Sequence, residues 1–212
     1  MIQVKQQISA VRRTLGSRQL EAGEAKVATI TQVYDTDIDD LWEAVTSAGR
    51  IPRWFMPITG DLREGGTYQL QGNAGGTITR CERPTSFAAT WEYNNEVSWI
   101  EVRLTAEGAE RTRFELEHVA HVSAELWEKY GPAATGLGWD LGIMGLSLHL
   151  ANPDTALKPE DGPAWMQSPE GLEFMRLSAD AWVDAAIASG DDPTQARASA
   201  DRTFAAYTGA ES

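Results

Sequence analysis

The chain of 212 residues carries 18 basic and 31 acidic side chains, a formal net charge of -13, three histidines and one cysteine. A surface so negative repels phosphate backbones and anionic bilayers, which excludes nucleic acid and membrane surfaces as expected partners. A lone Cys81, a start (MIQVKQQISAVRRT) without an apolar signal run, and a longest apolar window broken by Asp140 and His149 predict a soluble protein of a reducing cytoplasm, with no internal disulfide and no spanning helix.

Residues 1–26 are polar and alternate weakly, so they are expected to form a loosely tied arm with at most a short edge strand. Ala28 to Tyr34 alternates as a strand, and Asp35 or Asp37 caps a helix whose apolar positions Ile38, Leu41, Trp42 and Val45 recur at helical spacing, with Gly49 as its end. Arg50 to Phe55 forms a second, very short helical turn: Pro52 suits a first helical position and Pro57 stops any continuation.

From Ile58 to about Val122 the period falls to two. Turn signals interrupt it at Glu64-Gly65-Gly66, Gly72-Asn73, Gly75-Gly76, Arg83-Pro84, Asn94-Asn95 and Glu107-Gly108, the pattern of an antiparallel meander. Alternation puts Tyr68 and Leu70, then Phe87, Ala89 and Trp91, then Ile100, Val102 and Leu104, then Phe114, Leu116 and His118 on one dry face. Thr90, Glu92, Glu101, Arg103, Arg113, Glu115 and Glu117 fall on a wet one. Arg80 is either an inward strand position, as an anion or carbonyl anchor, or, as expected beside glycines that permit a bulge, on the solvated face.

Helical spacing returns at Ser123 to Tyr130. After Gly131-Pro132 it continues from Ala133 to about Leu150 in a long helix that is apolar nearly all round and therefore buried from several directions. Gly138, Gly142, Gly145 and His149 share one stripe of it, and Leu141, Met144 and Leu148 another. Three glycines cost about 1 kcal/mol each against alanine, so something must approach that backbone closely. A Pro-rich connection follows from Asn152. Two further helices then open at Ser168-Pro169, lined by Leu172, Met175, Ala179, Trp182, Val183 and Ala186, and at Asp192-Pro193, lined by Ala196, Ala200, Phe204 and Tyr207. They read as an antiparallel hairpin packed on the core against the glycine stripe. The chain thus divides into an arm (1–26), a core domain (27–150) and a linker with helical hairpin (151–212).

The ordered set Asp37-x-x-x-Leu41-Trp42-x-x-x-Thr46, Arg53-Trp54-Phe55-x-Pro57, Gly60-Asp61-Leu62-Arg63-x-Gly65-Gly66-x-Tyr68, Pro84 with Phe87-x-x-Thr90-Trp91, Thr112-x-Phe114-x-Leu116-x-His118 and Gly138-Trp139-Asp140 resembles the START, polyketide-cyclase and birch-pollen-allergen-like (SRPBCC) superfamily, in the branch similar to the activator of heat-shock-protein ATPase. The resemblance implies an α+β helix-grip fold, a curved antiparallel sheet wrapped around a long C-terminal helix with a cavity between them; the helical hairpin is an extension outside it. It also implies that the two small helices close the open end of the cavity, with Trp42, Trp54 and Phe55 at its mouth.

Within that frame Tyr68, Phe87, Trp91, Trp139 and Met144 form an adaptable aromatic lining beside Phe114 and Leu116, or simply fill the core. His118, on the same face, either orients a ligand or is a core histidine satisfied by a backbone carbonyl or Asp140. Asp140, a carboxylate in an apolar helix, needs a partner, which His118 or a strand arginine can supply. His118 and His121 point to opposite strand faces, so no metal-ligand cluster and no cofactor is expected. The chain shows neither a G-x-S-x-G elbow nor a phosphate loop with its lysine. Binding of a small hydrophobic molecule is therefore the expected function. The alternatives are a co-chaperone role, less expected because the resemblance takes in no counterpart of the extra N-terminal domain of such activators, and a cyclase or aromatase using His118 with Asp140. The hairpin leaves open a homodimer contact.

Overall fold

A computed structural model describes residues 3–152 and 159–209. Eight strands run in the order β1-β2-β8-β7-β6-β5-β4-β3 as one curved antiparallel sheet that does not close, with β1 (Arg12–Leu20) and β3 (Ile58–Gly60) at its edges. Together with the long helix α4 (Ala133–Ala151), this is the α+β helix-grip fold that the sequence led us to expect. The chain separates into two compact units interleaved in sequence. The first comprises Met1–Ile30, His121–Met144 and Glu160–Ser212, and the second Thr31–Ala120 and Gly145–Pro159. Strand β2 (Gly23–Tyr34) and helix α4 each run from one unit into the other.

The second unit holds the meander. Helix α2 (Ile38–Thr46) is capped by Asp37, whose carboxylate accepts from the Asp40 amide at 2.8 Å, and it buries Leu41, Trp42, Ala44 and Val45. It ends at Ser47, ahead of the expected Gly49. Pro52 sits in a single 3-10 turn, Ile51–Arg53. Strands β6 (Ser86–Tyr93), β7 (Glu96–Gly108) and β8 (Arg111–Ala120) pair with Phe87 opposite Val102 and Val102 opposite Leu116, Ala89 opposite Ile100 and Ile100 opposite His118, and Leu104 opposite Phe114, so the alternating residues share one face. Asn94 and Asn95, both at positive φ (50° and 64°), make the two-residue turn between β6 and β7.

Gly75-Gly76 is not a turn. Both residues lie in β5 (Gly75–Glu82); a Cβ on Gly76 would strike the Thr90 carbonyl of β6 and one on Gly75 would meet Tyr68 and Gln69 of the strand Thr67–Leu70 on the other side, so the two glycines admit the close approach of both neighbouring strands. The register between β5 and β6 shifts between Ile78 and Arg80, and Arg80 pairs outward with Glu101 and Glu82. On the same wet face Arg103 reaches Glu101 at 2.8 Å and Glu115 and Glu117 at 3.4 Å each.

The first unit replaces the expected loose arm with helix α1 (Val4–Ala10), the nine-residue strand β1 and the start of β2; Val4 and Val11 are buried. Helix α3 (Ala124–Tyr130) is capped by Ser123. Its final carbonyls are taken by side chains of α7 (Pro193–Thr208): Arg202 Nε donates to Lys129 O at 2.6 Å, Arg202 Nη2 to Glu128 O at 2.9 Å and Thr203 Oγ1 to Tyr130 O at 2.7 Å. Helix α6 (Pro169–Ser189) starts at the Ser168 cap and α7 at the Asp192 cap, as the Ser-Pro and Asp-Pro pairs predict. Among the described residues of the Pro-rich connection, a 3-10 turn (Pro159–Asp161) and a short α5 (Gly162–Met166) were not anticipated; residues 153–158 lie outside the described residues. Buried positions on α6 also include Phe174 and Ser178, whereas Leu172, and Phe204 and Tyr207 of α7, are only half-buried.

The expected packing of the hairpin along the glycine stripe needs correcting. Within the first unit, a close meeting of α4 with the hairpin is at Gly136, off the stripe, where a Cβ would run into the Trp182 ring of α6. Gly138 faces the Tyr207 hydroxyl, which donates to Ala134 O at 2.9 Å. Gly145, in the second unit, lies under the backbone carbonyl of Trp54. Of the stripe, Gly138 thus faces the hairpin and Gly145 faces the segment after the 3-10 turn.

Candidate functional site

Nine of the predicted lining residues fall in the second unit: Trp42, Trp54, Phe55, Tyr68, Phe87, Trp91, Phe114, Leu116 and His118. Trp42 packs edge-on to Phe87 with ring centroids 6.3 Å apart, and Phe114 edge-on to Tyr34 at 6.4 Å. Trp54 and Phe55, just past the 3-10 turn, stack at 5.4 Å, and the Trp54 indole N–H donates to Ala44 O at 2.9 Å, which fixes the pair against α2. Trp42, Tyr68, Phe114, Leu116 and His118 are buried, while Trp54, Phe55, Phe87 and Trp91 are half-buried.

His118 is held by β8 beside Trp91, 6.2 Å between ring centres, and its Nε2 lies 2.8 Å from the Ser98 hydroxyl. Ser98 stands opposite Trp91 in the β6–β7 register, so the ladder itself delivers the hydroxyl to the histidine. Burial pushes the His118 pKa down to about 4, so the ring is neutral at neutral pH and can offer a hydrogen bond without a charge. The Tyr68 hydroxyl donates to Thr90 O at 2.7 Å, and burial, seconded by the charge of Glu92, raises its pKa.

A second polar group gathers where α2, the 3-10 turn and the end of α4 meet. Arg50 Nη1 donates to Asp40 Oδ1 at 2.6 Å and to Asp40 O at 3.1 Å, Thr36 Oγ1 donates to Asp40 Oδ2 at 2.8 Å, and Arg50 Nη2 is 3.4 Å from Nε2 of His149. Burial works to raise the Asp40 pKa, but hydrogen bonds from Arg50 and Thr36 and the charge of Arg50 outweigh it, so the carboxyl titrates below its usual range. Nearby, Gln32 donates to Ser147 Oγ at 2.9 Å, and the buried Tyr34 hydroxyl, raised by desolvation, bonds the same serine. None of Ser98, Asp40, Arg50 or Ser147 was singled out from sequence. An isolated polar residue leaves no periodic signal, although the placement of His149 on the glycine stripe was a clue to its neighbourhood.

The first unit contains Trp139, half-buried, and Met144, buried. It also holds Asp140, which takes the strand arginine of its two foreseen partners. Arg13 grips both carboxylate oxygens, Nη2 to Oδ1 at 2.7 Å and Nε to Oδ2 at 3.0 Å, and Ser178 Oγ (2.5 Å) and Trp182 Nε1 (3.0 Å) also donate to Oδ2. The same unit has a cleft of ≈ 330 Å3 lined by Lys26, Trp127, Glu128, Asp191, Gln195 and Ser199 among others, with Lys26 Nζ 5.1 Å from the centre of the Trp127 ring. Among the described residues no group of three or more His, Cys, Asp or Glu is placed to hold a metal ion, and no helix is long and apolar enough to cross a membrane.

Fold and side chains together define a helix-grip protein whose sheet presents an aromatic inner face with a neutral histidine. Residues 35–150 match the family of activator of Hsp90 ATPase homolog 1-like proteins, and the chain belongs to that family. Among solved structures it is similar to CalU16 from Micromonospora echinospora. The CalU16 crystal structure is 36% identical over 86% of this chain and 99% of that one, with a TM-score of 0.67. Its solution NMR structure gives 36% identity, coverages of 86% and 97%, and a TM-score of 0.69. That coverage reaches beyond the 35–150 stretch, so the similarity takes in sequence flanking the family region. The fold alone is shared with EF2215, a conserved protein of unknown function from Enterococcus faecalis, at 12% identity, coverages of 89% and 96%, and a TM-score of 0.59. No curated protein matches the chain.

Proposed function

We propose that the second unit binds a small hydrophobic molecule against the inner face of its sheet, with Trp54 and Phe55 as the gate and His118 orienting the guest. One observation carries this reading: four large rings, Trp54, Phe55, Phe87 and Trp91, remain half-buried while Phe114, Leu116 and His118 beside them are buried. An apolar lining with a few fixed polar groups is what small-molecule sites use. The reading rests on the nine lining residues of the second unit. The test is a thermal-shift screen of the purified chain against hydrophobic compounds, backed by native mass spectrometry for a co-purified molecule. A ligand at a hundred times its Kd should stabilise by about 2.7 kcal/mol. Uniformly flat melting temperatures across the screen would reject the reading.

The family's name supports a second reading, stimulation of a heat-shock-protein ATPase. Adding the chain to purified Hsp90 and following ATP turnover separates the two, since a pure ligand binder leaves the rate unchanged. The cyclase or aromatase reading has less support, because the Asp140 oxygens it would employ are occupied by Arg13, Ser178 and Trp182.

A further inference from the structure

His149 is only 3% exposed, and its ring is bonded on one side alone. Nε2 faces Arg50 Nη2 at 3.4 Å. A guanidinium has donors and no acceptor, so Nε2 must be the acceptor and the neutral ring must carry its proton on Nδ1. That Nδ1–H is buried and has no hydrogen-bond partner among the described residues. Buried donors are rarely left so, because each loses its bond to water and gains nothing in return. The ring is kept neutral first by burial and then by the charges of Arg50 and Arg53, which outweigh the opposing pull of Asp40. These are the charged groups that α2 and the 3-10 turn bring to it.

Position gives the orphan donor a purpose. Gly145, one turn earlier on the same side of α4, lies under the Trp54 carbonyl, so His149 stands beside the segment that carries the stacked, half-buried Trp54 and Phe55. We infer that Nδ1–H of His149 anchors an acceptor oxygen, so that the molecule taken by the second unit is an apolar body bearing a carbonyl-type oxygen and not a plain hydrocarbon. The inference rests on the hydrophobic-binding reading above and sharpens it: His118 contacts the body of the guest and His149 its oxygen.

Two probes of one shape test it, 2-acetylnaphthalene with the acceptor and 2-ethylnaphthalene without, measured by equilibrium dialysis against the full chain. The wild-type preference for the acetyl compound should exceed that of His149→Phe by about tenfold, the worth of one buried hydrogen bond, and His149→Asn, which keeps a donor near the place of Nδ1, should restore most of it. Binding of both probes with a preference unchanged in His149→Phe overturns the anchor and leaves the parent reading standing. Binding of neither probe to the wild type defeats both.

A measurement on the wild type alone stays decisive should the variant fail to fold. Spectra of 15N-histidine-labelled protein at neutral pH should show His149 protonated on Nδ1 and bare on Nε2, with the Nδ1 resonance moving on addition of 2-acetylnaphthalene. An Nε2–H tautomer, or a bound probe that leaves Nδ1 unmoved, refutes the assignment.

Discussion

Helix α4 carries two buried polar side chains, Asp140 in the first unit and His149 in the second, and they are treated in opposite ways. Asp140 is saturated: a strand arginine, a serine and an indole from α6 all donate to it. Around it the packing is close enough that Gly136 has no room for a methyl group beside Trp182. His149 meets a single arginine, in a unit whose aromatic rings are partly uncovered. A polar group that the protein fully satisfies is architecture, and one left with unused hydrogen-bonding capacity is where a guest can be recognised.

The largest expected effect breaks the saturated side of this comparison. Asp140→Ala leaves the Arg13 guanidinium buried without its counter-charge and should cost about 3–5 kcal/mol in urea unfolding of the full chain, while the double replacement Arg13→Met with Asp140→Leu should recover much of that. The second unit should respond more to pH. The folded pKa of His118, about 4, lies below its ordinary 6.5, so between these values the unfolded chain binds a proton that the folded chain refuses. Stability therefore falls as pH drops from about 6.5 to about 4, by about 3 kcal/mol in all, with His149 shifted in the same direction. Unfolding curves of the wild type and His118→Phe across that range check it, the variant being the flatter.

Adding a methyl group compares the packing of the two units directly. Gly136→Ala against the Trp182 ring and Gly145→Ala against the Trp54 carbonyl should each cost about 1–3 kcal/mol, and only Gly145→Ala, by displacing the gate segment, should also alter binding of hydrophobic probes. The smallest effect belongs to the wet face of the sheet. Arg103→Ala removes partly exposed ion pairs to Glu101, Glu115 and Glu117, worth about 1 kcal/mol, and the loss should shrink further in high salt.

Much of the fold was legible because its signals are local. The Ser168-Pro169 and Asp192-Pro193 pairs announced two helices, and strict alternation through β6, β7 and β8 gave the face of His118. The N-terminal segment was not legible, since β1 is an edge strand mostly open to water and its anchor is the polar grip of Arg13, which hydrophobic periodicity does not register. Gly75-Gly76 misled because a turn and a close strand approach use the same residue, and only the positions of Tyr68, Gln69 and Thr90 decide between them. Of the candidate site, the ring cluster of the second unit could be read from the pattern. The Ser98 and Arg50 contacts could not, because each depends on where a partner far along the chain comes to rest.

The Arg13 grip also bears on how the polypeptide can be trimmed. Every side-chain donor described for Asp140 comes from before residue 27 or after residue 150, so a fragment cut at those two points would keep the acid and discard all its custodians. Such a piece would carry a bare negative charge in the middle of its greasiest helix, which makes the outlying ends of the polypeptide the insulation of its centre.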